Sequence, residues 1–462
     1  MTKQTILAMA LTAVCSAPPL ANAAQDPALE AIRAEIRQLK ETYEARIQSL
    51  EQGLKDAESR MASAPQPALA APASGTASAA ANAFNPAVSL ILGGTYANLS
   101  RDPAQYRIQG FMPGGESIGP GKRSFTLGES ELTFSANVDP HFSGRLTFSL
   151  TPDNQASVEE AVFETQGLAK GINLKGGRFL SAIGYLNSQH AHAWDFVDAP
   201  LAYQALFGGQ YKQDGLQLRW LAPSERFIEL GVEAGDGAAF PGNDRSKNGV
   251  GSTALFAHVG DDIGDSASWR GGLSYLQTGA TKRDYTDLDH SGTAVSNGYT
   301  GHSKIWLADG IYKWAPNGNA THTSIKLQGE YFQRKEYGTL SYDTLAQSLG
   351  SAALPYASAQ SGWYFQGVYQ FMPSWRVGLR YDQLHSGAAA LGLAGSALRA
   401  SDFPQLGPYQ PTRTSLMFDY SPSEFSRLRL QLAQDKSRPE ATDHQFFLQY
   451  IMSLGVHGAH SF

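Results

Sequence analysis

Two histidines and an aspartate lie close together in the segment His190-Ala191-His192-Ala193-Trp194-Asp195. Imidazole nitrogens and carboxylate oxygens are ligands that zinc accepts in tetrahedral sites. In an extended segment the two histidines would project from one face, because side chains alternate with a period of two. The spacing therefore suggests a zinc site at His190, His192 and Asp195. The alternative is that these side chains are hydrogen-bonding residues that pin the segment to the rest of the protein.

A second group of candidate cation ligands comprises Asp284, Asp287, Asp289 and His290. Closely spaced carboxylates can hold a hard cation such as calcium. An exposed acidic loop has the same composition, and this simpler interpretation is the one we prefer.

The C-terminal stretch from His444 to Phe462 alternates large apolar residues with small or polar ones. A period of two over this length indicates a β-strand. The apolar face is aromatic at both ends, as in a barrel strand that faces lipid between two interfacial girdles. Phe447 and Ile451 are the large apolar exceptions on the other face.

Similar alternation recurs in about sixteen segments, an even number as expected for a single-chain bacterial barrel. Short turns rich in Pro, Asp, Asn and Gly alternate with long loops, which is typical of turns on one side of a membrane and loops on the other. The predicted fold class is therefore all-β, a transmembrane antiparallel β-barrel of about sixteen strands with an aqueous lumen. The predicted long loops are 100–124, 180–207, 236–249, 279–302, 334–361 and 387–411.

The segment before the barrel divides into three parts. Residues 1–23 have the pattern of a secretory signal peptide, with Ala21-Asn22-Ala23 as the cleavage site and the single cysteine, Cys15, inside it. Residues 26–61 carry apolar residues at spacings of three and four, which predicts a short coiled-coil helix that needs partners. Residues 62–85 form an Ala/Pro-rich linker, and residues 86–462 form the barrel. An even number of strands would place the helix in the periplasm, and a trimer is the preferred assembly.

Alternation also assigns charged residues to the channel face, since a charge on the lipid face would cost ~2–4 kcal/mol at the midplane. Arginines on neighbouring strands would form an anion-attracting wall, with an acidic patch opposite, and such a transverse field tunes selectivity. The alternative is that each is a wall charge paired with its neighbour. The predicted pore-lining residues are Arg145, Arg219, Arg376, Arg380, Arg427, Arg429, Glu129 and Glu131.

The long loop 180–207 contains Tyr185, Trp194, Phe196, Tyr203 and Phe207. A loop this apolar is poorly suited to solvent, so we expect it to fold into the barrel and narrow the pore.

Composition excludes several function classes. The formal net charge of -6 argues against a nucleic-acid partner. After the N-terminal segment the sequence has no run of ~20 apolar residues that could form a transmembrane helix. No serine with a partnered histidine on one wall is evident, so an enzyme is not expected, and zinc is the one cofactor that the sequence suggests.

These features resemble the Gram-negative outer-membrane porins, in particular trimeric porins with periplasmic N-terminal helices. The resemblance implies an outer-membrane location in contact with lipid, a homotrimer, and assembly by the barrel-assembly machinery, for which the terminal Phe462 would be the signal. The segment from Gly184 to Phe196 is similar to that of zinc-regulated outer-membrane receptors of the TonB-dependent type, which implies a zinc-linked receptor or uptake protein as the alternative function. Such receptors need a folded plug inside a larger barrel, so a passive channel for small hydrophilic solutes is the preferred prediction.

Overall fold

The computed structural model describes residues 86–114, 118–150, 155–243, 247–439 and 441–455. The predicted signal peptide (1–23), coiled coil (26–61), linker (62–85) and assembly signal Phe462 lie outside the described residues.

The described residues form sixteen antiparallel barrel strands, and the sixteenth pairs with the first to close the barrel. The second strand is interrupted after Leu127 and runs as two segments, both paired with the first strand. The predicted sixteen-strand barrel is thereby confirmed. The strands are β1 (Ala87–Leu99), β2 (Ser124–Leu127 and Ser130–Asn137), β3 (Phe142–Leu150), β4 (Ala156–Thr165), β5 (Ile172–Leu180), β6 (Lys212–Leu221), β7 (Phe227–Gly235), β8 (Ser252–Ile263), β9 (Ala267–Leu288), β10 (Ala294–Trp314), β11 (Ser324–Tyr342), β12 (Ala352–Met372), β13 (Trp375–His385), β14 (Thr412–Ser423), β15 (Ser426–Arg438) and β16 (Ala441–Gly455).

Helical structure in the described residues is short. It consists of one α-helix, α1 (Leu201–Phe207), and of 3-10 turns at Pro103–Gln105, Ala169–Gly171, Ala191–Ala193, Pro316–Gly318, Ala400–Asp402 and Pro404–Leu406. In this part of the chain no helix has the length and apolarity needed to cross a membrane. A two-residue strand, Ala390–Leu391, pairs with the outer part of β12.

Alternation along each strand separates an apolar outer face from a polar inner face. On β13, for example, Trp375, Leu379 and Tyr381 are exposed, whereas Arg380 is buried between them. The same alternation places Arg429 of β15 inside. This is the pattern of a barrel whose outer face meets lipid and whose inner face meets water.

Four strands are longer than the sequence predicted. Loops were expected at 279–302 and 334–361, but β9 and β10 continue to a turn at 289–293, and β11 and β12 continue to a turn at 343–351. The prediction was wrong because strand ends beyond the membrane need no apolar outer face, so the alternation that reveals a strand is lost there. Their inner faces carry a separate apolar core that includes Tyr285, Tyr299, Leu340 and Tyr356, and Phe403 of the β13–β14 connection packs in the same core.

The connection between β5 and β6, residues 181–211, packs inside the barrel; we call it the internal loop. Every residue of its helix α1 is buried. The helix packs on inward-facing apolar side chains of the wall, among them Leu307 and Phe332. The apolar positions that broke the polar pattern of the inner face are thus explained by contact with this loop. Phe447 of β16, one of the two exceptions noted in the sequence, packs near Val197 of the loop.

Candidate functional site: the internal loop

Asp195 of the internal loop lies against the wall formed by β11 to β13. Its Oδ2 accepts a hydrogen bond of 2.8 Å from Nζ of Lys326, and its Oδ1 accepts one of 3.1 Å from Nη1 of Arg376. Burial alone would raise the pKa of Asp195, but the charges of Lys326 and Arg376 outweigh burial and hold the pKa well below its usual value. This side chain is therefore an anionic anchor of the loop.

Asp198 is a second anchor, three residues further along. It accepts a hydrogen bond of 2.7 Å from Nη2 of Arg380 and lies 2.8 Å from Nη1 of Arg413. The backbone carbonyl of Trp194 accepts hydrogen bonds from Nη2 of Arg429 at 2.7 Å and Nη1 of Arg427 at 3.2 Å. The arginines of β13 to β15 thus hold the loop in place.

The predicted pore-lining arginines do face inward, and all of them have anionic partners. Arg376 and Arg429 both pair with Asp419 of β14 in addition to their loop contacts. Elsewhere on the wall, Arg219 pairs with Glu164 and Arg145 with Glu160. The wall charges are thus paired with neighbours, which was the alternative interpretation of the sequence.

On the other side of the loop, His190 precedes the 3-10 turn Ala191–Ala193 and His192 lies within it, and both side chains meet β2 and β4. Nδ1 of His192 lies 2.8 Å from Oε1 of Glu131, and Nδ1 of His190 lies 3.1 Å from Oε2 of the same carboxylate. Nδ1 of His190 is also 3.5 Å from Oε2 of Glu159, and its Nε2 is 3.1 Å from Oε2 of Glu160. Burial would lower the pKa of His190, but these three carboxylates outweigh burial and raise it well above its usual value.

A β-bulge brings two adjacent glutamates of β4, Glu159 and Glu160, to the inner face. Thr147 of β3 pairs with Glu160, and the next residue, Phe148, pairs with Val158, so Glu159 is the extra residue. A bulge of this kind re-aims a side chain that regular alternation would turn outward. Both glutamates are buried and reach His190. Strict alternation of side chains along the strand would put Glu159 and Glu160 on opposite faces of the barrel wall. For this reason Glu159 was not identified as an inward-facing residue from the sequence.

The structure brings only two of the three predicted metal ligands together. Candidate ligand atoms of Glu131, His190 and His192 all lie within 4.8 Å of one another, as do those of Glu129, Glu131 and Glu159. Asp195 belongs to neither group. The chain turns between His192 and Asp195, so Asp195 reaches the cations of β11 and β13 instead.

The second predicted acidic group is divided among separate partners. Asp289 accepts hydrogen bonds from the backbone N–H groups of Ser291 and Thr293. Asp287 accepts the backbone N–H of Gln405, and His290 pairs with Asp402. Within the described ranges their candidate ligand atoms do not converge, and Asp284 and Asp287 belong to strand β9, not to an exposed loop.

A cavity of about 470 Å³ lies between the internal loop and the wall of β1, β2 and β16. Its lining includes Glu129, Glu159 and His192, together with Gln449 and Ile451 of β16. Ile451, the second apolar exception in the sequence, therefore lines a cavity instead of facing lipid.

Known proteins resemble this chain in sequence or in fold. No protein-family profile matches the chain. A protein of Aquifex aeolicus (strain VF5), described as uncharacterized, is 29% identical over 409 residues, which cover 82% of this chain and 80% of that protein. One similar solved structure is OmpTdeltaL8, a loop L8 deletion mutant of OmpT, an outer membrane protein of Vibrio cholerae. Its TM-score is 0.50 and its sequence is 10% identical, and the match covers 80% of this chain and 99% of that chain. The outer membrane channel DcaP of Acinetobacter baumannii is similar with a TM-score of 0.45 and 13% identity, over 80% and 97% of the two chains. The chain therefore shares the fold of the outer membrane protein OmpT, and its closed antiparallel barrel of sixteen strands is the architecture that the sequence predicted.

Proposed function

We propose that the protein is an outer-membrane channel, and not an enzyme, through which small hydrophilic solutes diffuse. The observation that carries the proposal is the closed barrel of sixteen strands with charged and polar side chains on its inner face. A barrel of about this size encloses a lumen that side chains from the wall alone do not fill. Its outer face would contact the lipid of the outer membrane.

We further propose that the internal loop narrows this channel. The loop contacts Glu131 and Glu160 on one side of the barrel and Lys326 and Arg376 on the other. The cavity of about 470 Å³ beside β1, β2 and β16 is the route that we assign to solutes. Since Glu129 and Glu159 line this cavity, whereas the arginines of β13 to β15 are paired, we expect cations to pass more readily than anions.

Single-channel recording in planar bilayers tests the proposal with the purified full-length protein in potassium chloride. We expect ohmic current steps, and their absence would contradict the channel. Asp198→Asn weakens the contacts with Arg380 and Arg413 and should raise the conductance if the loop narrows the pore. The matched control is Asp284→Asn in the exposed pair with Lys282 on the β9–β10 hairpin, which should leave the conductance unchanged. An unchanged conductance in Asp198→Asn would contradict the narrowing role.

A zinc-linked receptor or uptake protein is the second candidate, and it is favoured by the convergence of His190 and His192 on Glu131. It predicts that the purified protein is silent in bilayers or closes when zinc is added. Currents that persist unchanged in micromolar zinc would exclude it in favour of the passive channel.

The assembly expected from the sequence remains part of the proposal. A homotrimer, joined through the barrels and the N-terminal coiled coil, predicts that current steps occur in groups of three. Chemical cross-linking in detergent should give a trimer as the largest species, and a monomer under the same conditions would contradict this assembly.

A further inference from the structure

We propose that Glu131, Glu159, His190 and His192 bind one tetrahedral divalent transition metal, of the zinc type, where the internal loop meets β2 and β4. The sequence-based hypothesis joined the two histidines to Asp195. The geometry points to two wall glutamates instead, one of them on a β-bulge. The proposal concerns metal binding alone, so it does not depend on the channel function.

Three of the donors converge directly: candidate ligand atoms of Glu131, His190 and His192 lie within 4.8 Å of one another, and Glu159 belongs to an overlapping group that shares Glu131. Ligand atoms 2.0–2.1 Å from a tetrahedral zinc lie about 3.3 Å from one another. The distances from Glu131 oxygens are 2.8 Å to Nδ1 of His192 and 3.1 Å to Nδ1 of His190. Nδ1 of His190 lies 3.5 Å from Oε2 of Glu159. Both imidazoles therefore direct the same nitrogen, Nδ1, at the carboxylates, and a small inward movement of Glu159 would complete a tetrahedral set around an ion.

Glu159 supplies an independent indication of a ligand. The residue is 6% exposed, and its Oε2 accepts no hydrogen bond from any residue that the structure describes; its contact with Nδ1 of His190, at 3.5 Å, is an ion pair only when that imidazole is protonated. A buried carboxylate oxygen left without a donor is costly, and such groups in native proteins call for an explanation such as a bound ion. A metal ion at this position would satisfy Oε2 directly. The bulge that turns Glu159 inward would then have a functional purpose.

Glu160 would orient the ligand His190 through a contact with its other ring nitrogen, Nε2. Its Oε2 lies 3.1 Å from Nε2 of His190, and the same oxygen pairs with Nη2 of Arg145 at 3.0 Å. A carboxylate on the distal nitrogen is the usual partner of a metal-bound histidine, because it fixes the ring and the tautomer. Two nitrogens and two oxygens at close range suit zinc, whereas calcium takes six to eight oxygens.

Zinc titration tests the site in the purified full-length protein in detergent, with zinc chloride and a chromophoric chelator as competitor. We expect one zinc ion per chain. Glu159→Gln and His192→Gln each remove a ligand, so each should weaken binding at least as much as the 10–100-fold typical of losing an outer partner. Glu160→Gln should lose about that 10–100-fold and no more. The matched control is His258→Gln, which breaks a different buried pair, between Nδ1 of His258 and Glu229 at 2.9 Å, and should leave the affinity unchanged.

Two results would overturn the proposal. One is the absence of stoichiometric zinc binding by the unmodified protein. The other is an affinity unchanged in both Glu159→Gln and His192→Gln, each first shown by circular dichroism to retain the β-sheet content of the unmodified protein. Glu159→Gln is nearly isosteric, so it decides the question even if the histidine variant fails to fold. Cobalt substitution adds a geometric readout, with the intense visible absorption of four-coordinate cobalt expected and the weak six-coordinate spectrum contradicting a tetrahedral site.

Discussion

Asp195 and Lys326 form an ion pair of 2.8 Å that joins the internal loop to the wall near the first residues of β11. The same carboxylate pairs with Arg376, so one loop residue compensates two wall cations. On the opposite side of the barrel the loop brings His190 against the carboxylates of β2 and β4. The central part of the loop is therefore held on two sides, by Asp195 toward β11–β13 and by His190 toward β2–β4.

Asp195→Ala should destabilise the folded protein by about 3 kcal/mol, because it leaves Lys326 without its anion beside Arg376, which keeps only Asp419. We take the lower end of the range for buried pairs because the side chains of Lys326 and Arg376 remain 23% and 24% exposed. Urea unfolding followed by circular dichroism measures the loss. Asp214→Ala, in the exposed pair with Arg178, is the control and should cost less than about 1 kcal/mol. An equal loss of unfolding free energy in the two variants would contradict the role of Asp195 as an anchor of the loop.

The conductance should depend on pH only in strongly acidic solution. The pKa of Asp198, like that of Asp195, is lowered in the folded protein, since Arg413 and Arg380 outweigh the opposing effect of burial. A lowered pKa contributes stability that is complete above the unfolded value of about 3.9 and is lost as the pH falls toward the folded value. We therefore expect constant conductance from pH 7 to about pH 4 and an increase below it as the loop loosens. A rise that begins near pH 6 would show that these aspartates do not control the loop.

Zinc should shift the ion selectivity toward anions. Glu159 and His192 belong both to the proposed metal site and to the lining of the cavity, so a bound ion adds positive charge beside the route assigned to solutes. Reversal potentials under a potassium chloride gradient, with and without micromolar zinc, measure this shift. In Glu159→Gln the zinc-dependent part of the shift should disappear. If the protein binds zinc stoichiometrically but the reversal potential does not change, the solute route lies elsewhere in the barrel.

Much of the architecture could be predicted because lipid imposes alternation. Residues such as Leu379 and Leu428 must face outward, which fixes Arg380 and Arg429 inside and gives the number of strands. Beyond the lipid-facing part of the barrel, alternation is no longer required, and there the predicted strand ends were wrong. The outer halves of β9 to β12 lie beyond the alternating pattern and were mistaken for loops.

Only part of the candidate site could be predicted, because a bulge and a turn decide which other side chains reach the two histidines. His190 and His192 were identified by residue type and spacing. Glu159 could not be identified, since a bulge cannot be seen in the alternation of one strand without its partner's register. Asp195 was grouped with the histidines because it is near in sequence, but a single turn sends it toward the opposite wall.

Leu432→Arg tests the membrane-facing assignment of β15 directly. Leu432 is 45% exposed on the outer face, in line with Leu428 and Leu430. An arginine there must lie in lipid, at a cost of up to ~2–4 kcal/mol if the position is near the midplane. Gln434→Arg, two residues closer to the external end of the same face, should cost only ~0–1 kcal/mol because the penalty falls near the interface. Unfolding by urea from lipid vesicles measures both variants. If Leu432→Arg were tolerated as well as Gln434→Arg, this face would not be the one in contact with the hydrocarbon.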